Sequence, residues 1–180
     1  MDNELGLDNY HIFRCDRSPK TSKHENGGGV LAAFNIDLSV QRLETRIHFI
    51  EHLLIMVKLD NKKVIIALAY LPPSSPVELY EAFCTSVSTA VLEYWDENSE
   101  VLMCGDFNLP GVSWISDEYG SMPVGPLTRH TITLSDCAAF FNLRQFNFIA
   151  NCNDGFLNLI FCSVYMEVKL TCGPLVHCDV

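Results

Sequence analysis

The segment from Val101 to Gly111 constrains the fold of this chain more than any other part of its sequence. It reads Val-Leu-Met-Cys-Gly-Asp-Phe-Asn-Leu-Pro-Gly, an apolar run that ends in an aspartate, an asparagine and a Pro-Gly turn signal. Side chains alternate between the faces of an extended strand, so Asp106 and Asn108 face one side and Phe107 faces the other. The segment predicts a buried strand that delivers a carboxylate and a carboxamide to one place.

Two interpretations of Asp106 and Asn108 are open from the residues alone. In a catalytic site, the carboxylate could accept a proton from water or bind a hard cation, and the carboxamide could orient that water or a phosphoryl oxygen. In a structural turn, both side chains would instead cap backbone groups after the strand. The buried strand before the pair and the Pro110-Gly111 turn after it favour the catalytic interpretation.

The composition indicates one globular domain over residues 1–180. Hydrophobic residues make up 48% of the 180 positions, which is enough for a sizeable core. No apolar run is long enough to span a bilayer and the N-terminus does not resemble a signal peptide, so we expect a soluble intracellular protein of the nucleus or cytoplasm. The net charge of −10 argues against a strong DNA-binding surface, although a bound divalent cation could offset it locally.

The eight cysteines include no C-x-x-C pair, and most of them lie among apolar neighbours. Without a secretory signal or a glycosylation sequon, we interpret them as reduced thiols that pack as small hydrophobes. A zinc site would require closer pairing of the cysteines.

Apolar periodicity divides the chain into strands, helices and loops. We predict a strand from Val101 onward and further strands over residues 10–14, 30–34, 46–59, 63–71, 146–149 and 157–164. Apolar residues recur every three or four positions over 77–94 and 131–143, which predicts two helices; Ser74 or Ser75 could cap the first, with Pro76 in its first turn. Residues 109–128 contain three prolines and three glycines and predict a long surface loop. This order is typical of an α+β or layered α/β domain with mixed sheets.

Tyr70 is a further site candidate because it ends an apolar strand just before Pro72-Pro73. Strand ends of one sheet can converge, and there the phenol could hydrogen-bond a phosphate; alternatively Tyr70 is a residue of the core boundary. The three glycines at 27–29 could cradle a phosphate, but no helix pattern follows them, so we interpret them as a flexible entry to a tightly packed strand.

His48 and His52 have metal-ligand spacing if they lie on a helix. Their apolar neighbours indicate a strand instead, which would put both histidines on one face but well separated. Glu51, which lies between them in sequence, is expected to be solvated or at a sheet edge.

The string Gly105-Asp106-Phe107-Asn108 resembles the motif of the endonuclease/exonuclease/phosphatase superfamily, in which Gly-Asp is followed by Phe, Leu or Ile and then Asn. Its continuation, Leu-Pro-Gly-Val-Ser-Trp over 109–114, resembles the endonuclease domain of non-LTR retrotransposons, which is encoded upstream of their reverse transcriptase. Segments 10–17, 27–31, 69–73, 143–147 and 155–161 agree with that domain in order, so the resemblance spans nearly the whole chain.

The resemblance implies a DNase I-like fold, a four-layered sandwich of two β-sheets flanked by helices. It also implies nicking of target DNA by metal-dependent phosphodiester hydrolysis, with Mg²⁺ or Mn²⁺ as the cofactor and DNA as the partner. By position, Asp106 would orient or deprotonate the attacking water, Asn108 would hold the phosphate and that water, and Tyr70 would contact the scissile phosphate. No membrane partner is implied.

Three features depart from the family's pattern. Its metal-binding Glu lies in a Glu-Thr-Trp motif upstream of the Tyr10 segment, where this chain has no counterpart, so no metal ligand is assigned. Its late catalytic His follows an aspartate motif, and this chain ends at Asp179-Val180. Its Leu-Asp-Leu segment reads Leu157-Asn158-Leu159 here, and an Asn cannot supply the charge that stabilises an imidazolium. Asn158 and Asp179 are therefore only weak candidates for substrate orientation.

These departures predict a domain that is incomplete at both ends and whose hydrolytic activity is weak or lost. One alternative is a catalytically inactive remnant or binding module with the same fold. Another is a phosphatase or lipid phosphodiesterase of the same superfamily, which would require a basic pocket near Tyr70 or Asp106; the sequence shows no such Lys/Arg cluster.

Overall fold

The computed structural model describes residues 7–21, 28–109, 111–149, 156 and 158–169. Within these ranges the chain forms strands and helices in the order β1 Tyr10–Asp16, β2 Gly29–Asn35, β3 Ser39–Arg42, β4 Glu51–Leu59, β5 Lys62–Tyr70, α1 Val77–Tyr94, β6 Ser99–Asp106, β7 Ser113–Asp117, β8 Gly120–Val124, α2 Arg129–Phe140, β9 Arg144–Gln145 and β10 Asn158–Cys162.

Eight of these strands form one mixed sheet in the order β3-β4-β5-β6-β10-β9-β8-β7. The central pair, β5 and β6, is parallel, and the chain passes from one to the other through helix α1. Each of the other neighbouring pairs is antiparallel. Because β5 and β6 are parallel, their carboxyl ends, at Tyr70 and Asp106, lie side by side at one edge of the sheet.

The large sheet has apolar side chains on both faces, which explains the near-continuous apolar runs of β4 and β5. One face packs against α1 and α2 around Phe83, Met103 and Phe107, which are all fully buried. The other face packs against the antiparallel pair β1–β2 through Leu53, Ile55 and their neighbours. The described residues thus form three layers, namely the helices, the large sheet and the small sheet.

Helix α1 covers residues 77–94, as the sequence periodicity predicted, and buries Tyr80, Phe83 and Val87. The predicted serine cap is wrong, because Pro76 is the N-cap residue and makes no side-chain capping bond. The Ser75 hydroxyl donates instead to the Pro72 carbonyl at 2.6 Å, so that side chain stabilises the turn before the helix.

The predicted loop over residues 109–128 is also wrong, since β7 and β8 form a hairpin there. The glycines and prolines suggested a loop, but Pro123 lies within β8 opposite Trp114. β8 pairs with β9 at Ser121, which leaves Pro123 near an edge where a missing N–H group is tolerated.

Two of the strand predictions are wrong, one at its start and one entirely. β4 begins at Glu51 rather than at residue 46, because the Thr45 hydroxyl accepts the Ile47 N–H at 3.1 Å and bends the chain. Residues 146–149 form no strand, and there the Ile149 N–H donates to the side chain of Asn147 at 3.0 Å instead. The Asn-Cys-Asn-Asp-Gly sequence of residues 151–155 predicts a turn, and these residues lie outside the described part of the chain. Within the described part of the chain, no helix has the length and apolarity needed to cross a bilayer.

Candidate functional site

Asp106 and Asn108 lie in a tight turn at the carboxyl end of β6. One Asp106 carboxylate oxygen, Oδ1, accepts the Asn108 N–H at 3.1 Å. The Asn108 side-chain amide donates to the Leu71 carbonyl at 2.8 Å, and the Leu71 N–H donates to the Asp106 carbonyl at 2.9 Å. Both side chains therefore cap backbone groups, as the structural interpretation predicted. The turn also joins the end of β6 to the end of β5 and presents both polar side chains at that junction.

The turn is held by residues of the core beneath it. Phe107 is fully buried on the helix face of the sheet, and its ring contacts those of Phe83 and Phe161 at centroid distances of 5.6 and 6.2 Å. The Tyr80 hydroxyl of α1 donates to the Phe107 carbonyl at 2.6 Å. Asn108 has a positive φ of 45°, a conformation that asparagine tolerates better than most residues. The position of the Asp106 carboxylate is therefore set by well-packed neighbours.

The local environment makes Asp106 a weaker acid than an exposed aspartate. Burial raises the pKa of its carboxyl group, and the hydrogen bonds from Asn108 oppose that rise. Because the folded chain disfavours the charged form, the Asp106 carboxylate costs folding free energy at neutral pH. A carboxylate maintained at such a cost is typical of a functional site.

Strand register places four polar residues in one row across the sheet. Glu51 of β4 is opposite Tyr70 of β5, Tyr70 is opposite Asp106 of β6, and Asp106 is opposite Asn158 of β10. Paired residues of adjacent strands project to the same face. Glu51 lies two positions before Leu53 in β4, and Leu53 packs on β1–β2. The row therefore projects to the face that packs on β1–β2, opposite the helices. Two predicted catalytic residues, Tyr70 and Asp106, are thus adjacent.

Glu51 is a member of this row that the sequence analysis missed. It was expected to be solvated or at a sheet edge, but it is only 2% exposed. The guanidinium group of Arg17 donates to both carboxylate oxygens, from Nε to Oε1 at 2.8 Å and from Nη2 to Oε2 at 3.3 Å. The Thr21 hydroxyl donates to Oε1 at 3.2 Å. The expectation failed because the cation that allows Glu51 to be buried comes from a segment 34 positions away in sequence.

Arg17 also contacts Tyr70 and therefore brings a positive charge to the site. Its guanidinium carbon lies 5.4 Å from the centroid of the Tyr70 ring, within the range of a cation–π interaction. The hydrogen bond to Glu51 is the largest of the effects that raise the pKa of Arg17. A Cβ atom at Gly28 would come within 2.5 Å of the guanidinium carbon, so this glycine permits the close contact. The contact gives Gly28 a local role that the sequence did not reveal.

The two histidines do not form a metal pair. His52 is buried at the start of β4, and its ring nitrogens lie 3.2 Å from the Ile50 carbonyl oxygen and 2.9 Å from the Ser86 hydroxyl. Burial lowers the pKa of His52, which favours the neutral ring. His48 is exposed in the segment before the strand. Of the two weak candidates, Asn158 lies in the row next to Asp106, whereas Asp179 lies outside the described residues.

The described residues do not form a complete protein site for Mg²⁺ or Mn²⁺. Among them, no group of three or more His, Cys, Asp or Glu side chains could hold a metal ion. Both carboxylate oxygens of Glu51 accept hydrogen bonds from Arg17. Asp106 is then the one carboxylate of the row that is not in such a pair, and hard divalent cations require several oxygen ligands.

The fold is similar to those of several solved structures. The endonuclease domain of TRAS1, a telomere-specific non-LTR retrotransposon, matches with a TM-score of 0.61 at 13% sequence identity, over 88% of this chain and 67% of that chain. The human Nocturnin catalytic domain matches with a TM-score of 0.52 at 16% identity, over 89% of this chain and 63% of its own. A humanized TDP2 of D. rerio matches with a TM-score of 0.50 at 11% identity, over 89% and 63%.

All three proteins are members of the endonuclease/exonuclease/phosphatase superfamily. Their likeness confirms the layered DNase I-like fold that the resemblance implied, and at these identities it establishes the fold alone. The chain spans about two thirds of the length of these proteins. No protein-family model matches the sequence, and no curated protein does so either.

Proposed function

We propose that this chain binds a phosphodiester group of DNA at the row formed by Tyr70, Asp106 and Asn158. We further propose that the site derives from a metal-dependent, DNA-nicking endonuclease of the retrotransposon type and that its hydrolytic activity is weak or lost. The observation that carries the proposal is the register, which brings Tyr70 and Asp106 together at the carboxyl ends of two parallel strands. Crevices at such strand ends are the usual binding positions in sheets with parallel strands.

The proposed roles follow from the chemistry of each side chain. The raised pKa of Asp106 makes its carboxylate a better proton acceptor for an attacking water than an exposed aspartate. The Asn108 amide donates one hydrogen bond to Leu71, and its second N–H, which stabilises the Asp106 carboxylate, can be shared with a phosphoryl oxygen. Tyr70 can donate its hydroxyl proton to the same phosphate. Asn158 can orient the substrate but cannot supply negative charge.

The expectation of weak hydrolysis rests on how few carboxylates the described residues bring to the row. A divalent cation would supply charge stabilisation at the phosphate. Glu51 is paired with Arg17, so of the carboxylates in the row only Asp106 remains available to a cation. Loss of one charge-stabilising group typically slows such chemistry by ~10²–10³-fold. The likeness to the TRAS1 endonuclease domain supports descent from an endonuclease, and such descent is compatible with loss of activity.

A plasmid-nicking assay in Mg²⁺ and in Mn²⁺, run beside a DNA-binding assay, tests the proposal. The informative variant is Asp106→Asn. Its amide oxygen can still accept the Asn108 N–H, and the substitution removes a negative charge that burial disfavours. It should fold at least as stably as the parent. Asp60→Asn, in the exposed turn between β4 and β5, is the matched control. Clear nicking by the parent that Asp106→Asn loses and Asp60→Asn keeps would overturn the claim of weak activity and confirm the site.

A binding module without catalysis is the second candidate, and the partly buried Arg17–Glu51 pair favours it. It predicts salt-sensitive binding of duplex DNA with no nicking in either metal. DNA binding should weaken in Tyr70→Phe, which removes only the hydroxyl. If neither DNA binding nor nicking is detected at low salt, both candidate functions are wrong.

A further inference from the structure

The Arg17–Glu51 ion pair is a built feature next to the proposed phosphodiester site. The Glu51 side chain is 1% exposed and that of Arg17 is 17% exposed, and their closest atoms, Nε and Oε1, are 2.8 Å apart. Thr21 adds a third hydrogen bond to the same carboxylate. An ion pair that buries one of its partners contributes little net stability compared with apolar side chains of similar size, because desolvation offsets the attraction between the charges. Stabilisation of the fold therefore explains the pair poorly, and a role in positioning a neighbouring side chain explains it better.

Tyr70 is the neighbour that such a role would serve. It lies directly opposite Glu51 in the β4–β5 ladder, so the two side chains project to the same face. The Arg17 guanidinium group, held by Glu51, packs over the Tyr70 ring at 5.4 Å. Gly28 lies against the same guanidinium group, where a Cβ atom would collide with it. The Arg17 guanidinium group therefore lies in a fixed position over the Tyr70 ring, because Glu51 binds it and Gly28 packs against it.

We propose that Arg17 and Glu51 are a positioning pair, which fixes the Tyr70 side chain so that its hydroxyl group meets an oxygen of the bound phosphodiester. Arg17 acts through Tyr70 in this arrangement and Glu51 acts through Arg17. The inference rests on the proposed function for its ligand, a DNA phosphodiester. The geometric part, that Arg17 orders the Tyr70 ring, is testable without any ligand.

A double-mutant cycle on DNA affinity tests the coupling between Arg17 and Tyr70. The measurements are fluorescence-anisotropy titrations of a labelled DNA duplex with the parent chain, Arg17→Met, Tyr70→Phe and the double variant. Each single variant should weaken binding by about 3- to 10-fold, the worth of one hydrogen bond. In the Tyr70→Phe background, Arg17→Met should change affinity less than about 2-fold, because variants that act through one group are not additive. Additive losses would overturn the proposal and assign Arg17 a direct phosphate contact.

The variant Glu51→Gln separates positioning from simple electrostatics. It removes a negative charge beside the site, so long-range attraction alone would strengthen DNA binding. Positioning predicts weaker DNA binding instead. The amide introduced by Glu51→Gln would offer one acceptor oxygen to the Arg17 guanidinium group, which in the parent chain donates to two carboxylate oxygens. Glu97→Gln makes the same charge change at an exposed residue beyond the far end of the sheet and should bind at least as well as the parent. Tighter binding by both variants would contradict the positioning role.

Fluorine NMR with 3-fluorotyrosine incorporated at position 70 tests the geometry independently of DNA. The parent should show a resonance shifted away from that of the urea-unfolded chain, and Arg17→Met should move it toward the unfolded value. Lys62→Met loses the same charge at the opposite end of β5 and should leave the resonance in place. If Arg17→Met does not fold, as judged by circular dichroism, Gly28→Ala displaces the guanidinium group while keeping both partners. Gly125→Ala introduces the same backbone strain at a φ of 88° with open space around the added Cβ, and it should leave the resonance in place.

The NMR and DNA-binding results together distinguish failure of the positioning pair from failure of the proposed ligand. A resonance that is unmoved by Arg17→Met or Gly28→Ala overturns the positioning pair, whatever the DNA assays show. A resonance that moves in a chain that fails to bind DNA keeps the positioning pair and refutes the proposed ligand.

Discussion

Replacing Tyr80 by phenylalanine tests whether helix α1 holds the turn that carries Asp106 and Asn108. The Tyr80 hydroxyl donates to the Phe107 carbonyl at 2.6 Å, and the side chain is 2% exposed. The substitution removes one oxygen atom and keeps the ring, so it leaves the aromatic packing in place. Its main consequence is that the Phe107 carbonyl stays buried without this donor.

The size of the effect follows from that single bond. A buried hydrogen bond contributes about 0.5–1.5 kcal/mol, and a buried acceptor left without its donor costs ~1–3 kcal/mol. We therefore expect the free energy of unfolding to fall by about 2 kcal/mol in Tyr80→Phe. For a chain of this length that corresponds to a decrease in Tm of roughly 4–8 °C.

Urea denaturation followed by far-ultraviolet circular dichroism measures the change. The midpoint should fall while the slope with urea stays constant, since the surface exposed on unfolding is unchanged. Tyr119→Phe is the control, because Tyr119 is 65% exposed and its loss should change stability by less than about 0.5 kcal/mol. If the two variants were equally stable, the hydroxyl would not be holding the turn, and the argument that the core sets the position of Asp106 would fail.

Three further predictions concern the same region. Burial raises the pKa of Tyr80 to about 12, so between pH ~10 and that value the phenol ionises in the unfolded chain but not in the folded one. Over this range the parent should lose stability relative to Tyr80→Phe, and parallel stability profiles against pH would contradict the prediction. Burial also raises the pKa of Cys104 to about 11, so iodoacetamide at neutral pH should modify it only after unfolding, a difference that peptide mass spectrometry detects. Gly105→Ala should destabilise the chain by at least ~1–3 kcal/mol in thermal melts, because the added Cβ would overlap the Ala69 carbonyl oxygen; an unchanged Tm would refute that close approach.

The electrostatics of the site differ from those of the whole chain. The net charge of −10 opposes DNA binding at long range, yet a guanidinium group lies against the ring of Tyr70. The carboxylate of Glu51 offsets much of that positive charge locally. DNA affinity should therefore be modest and should fall with salt less steeply than that of a basic DNA-binding domain, because few phosphates are neutralised.

The sequence by itself determined the elements whose residues interact locally. The apolar run before Asp106 predicted β6, the helical period predicted α1 over residues 77–94, and the Gly-Asp-Phe-Asn motif indicated the DNase I-like fold. These features depend on neighbours in sequence, where alternation and helical periodicity are directly readable. The hairpin at 113–124 was missed because glycine and proline content describes turns but not the strands that tolerate them.

Only the tertiary structure decided which residues surround the motif. The register of β4 on β5 places Glu51 beside Tyr70, and the chain after β1 brings Arg17 over both. Neither contact has a sequence signal, because a lone glutamate in an apolar strand and an arginine in a polar segment each have ordinary local explanations. Register is set by the burial of both faces of the sheet, since a slip of one residue would move every side chain to the opposite face. The same packing left Asp106 partly buried and so made it a weaker acid, a property of its environment that the Gly-Asp-Phe-Asn motif alone does not specify.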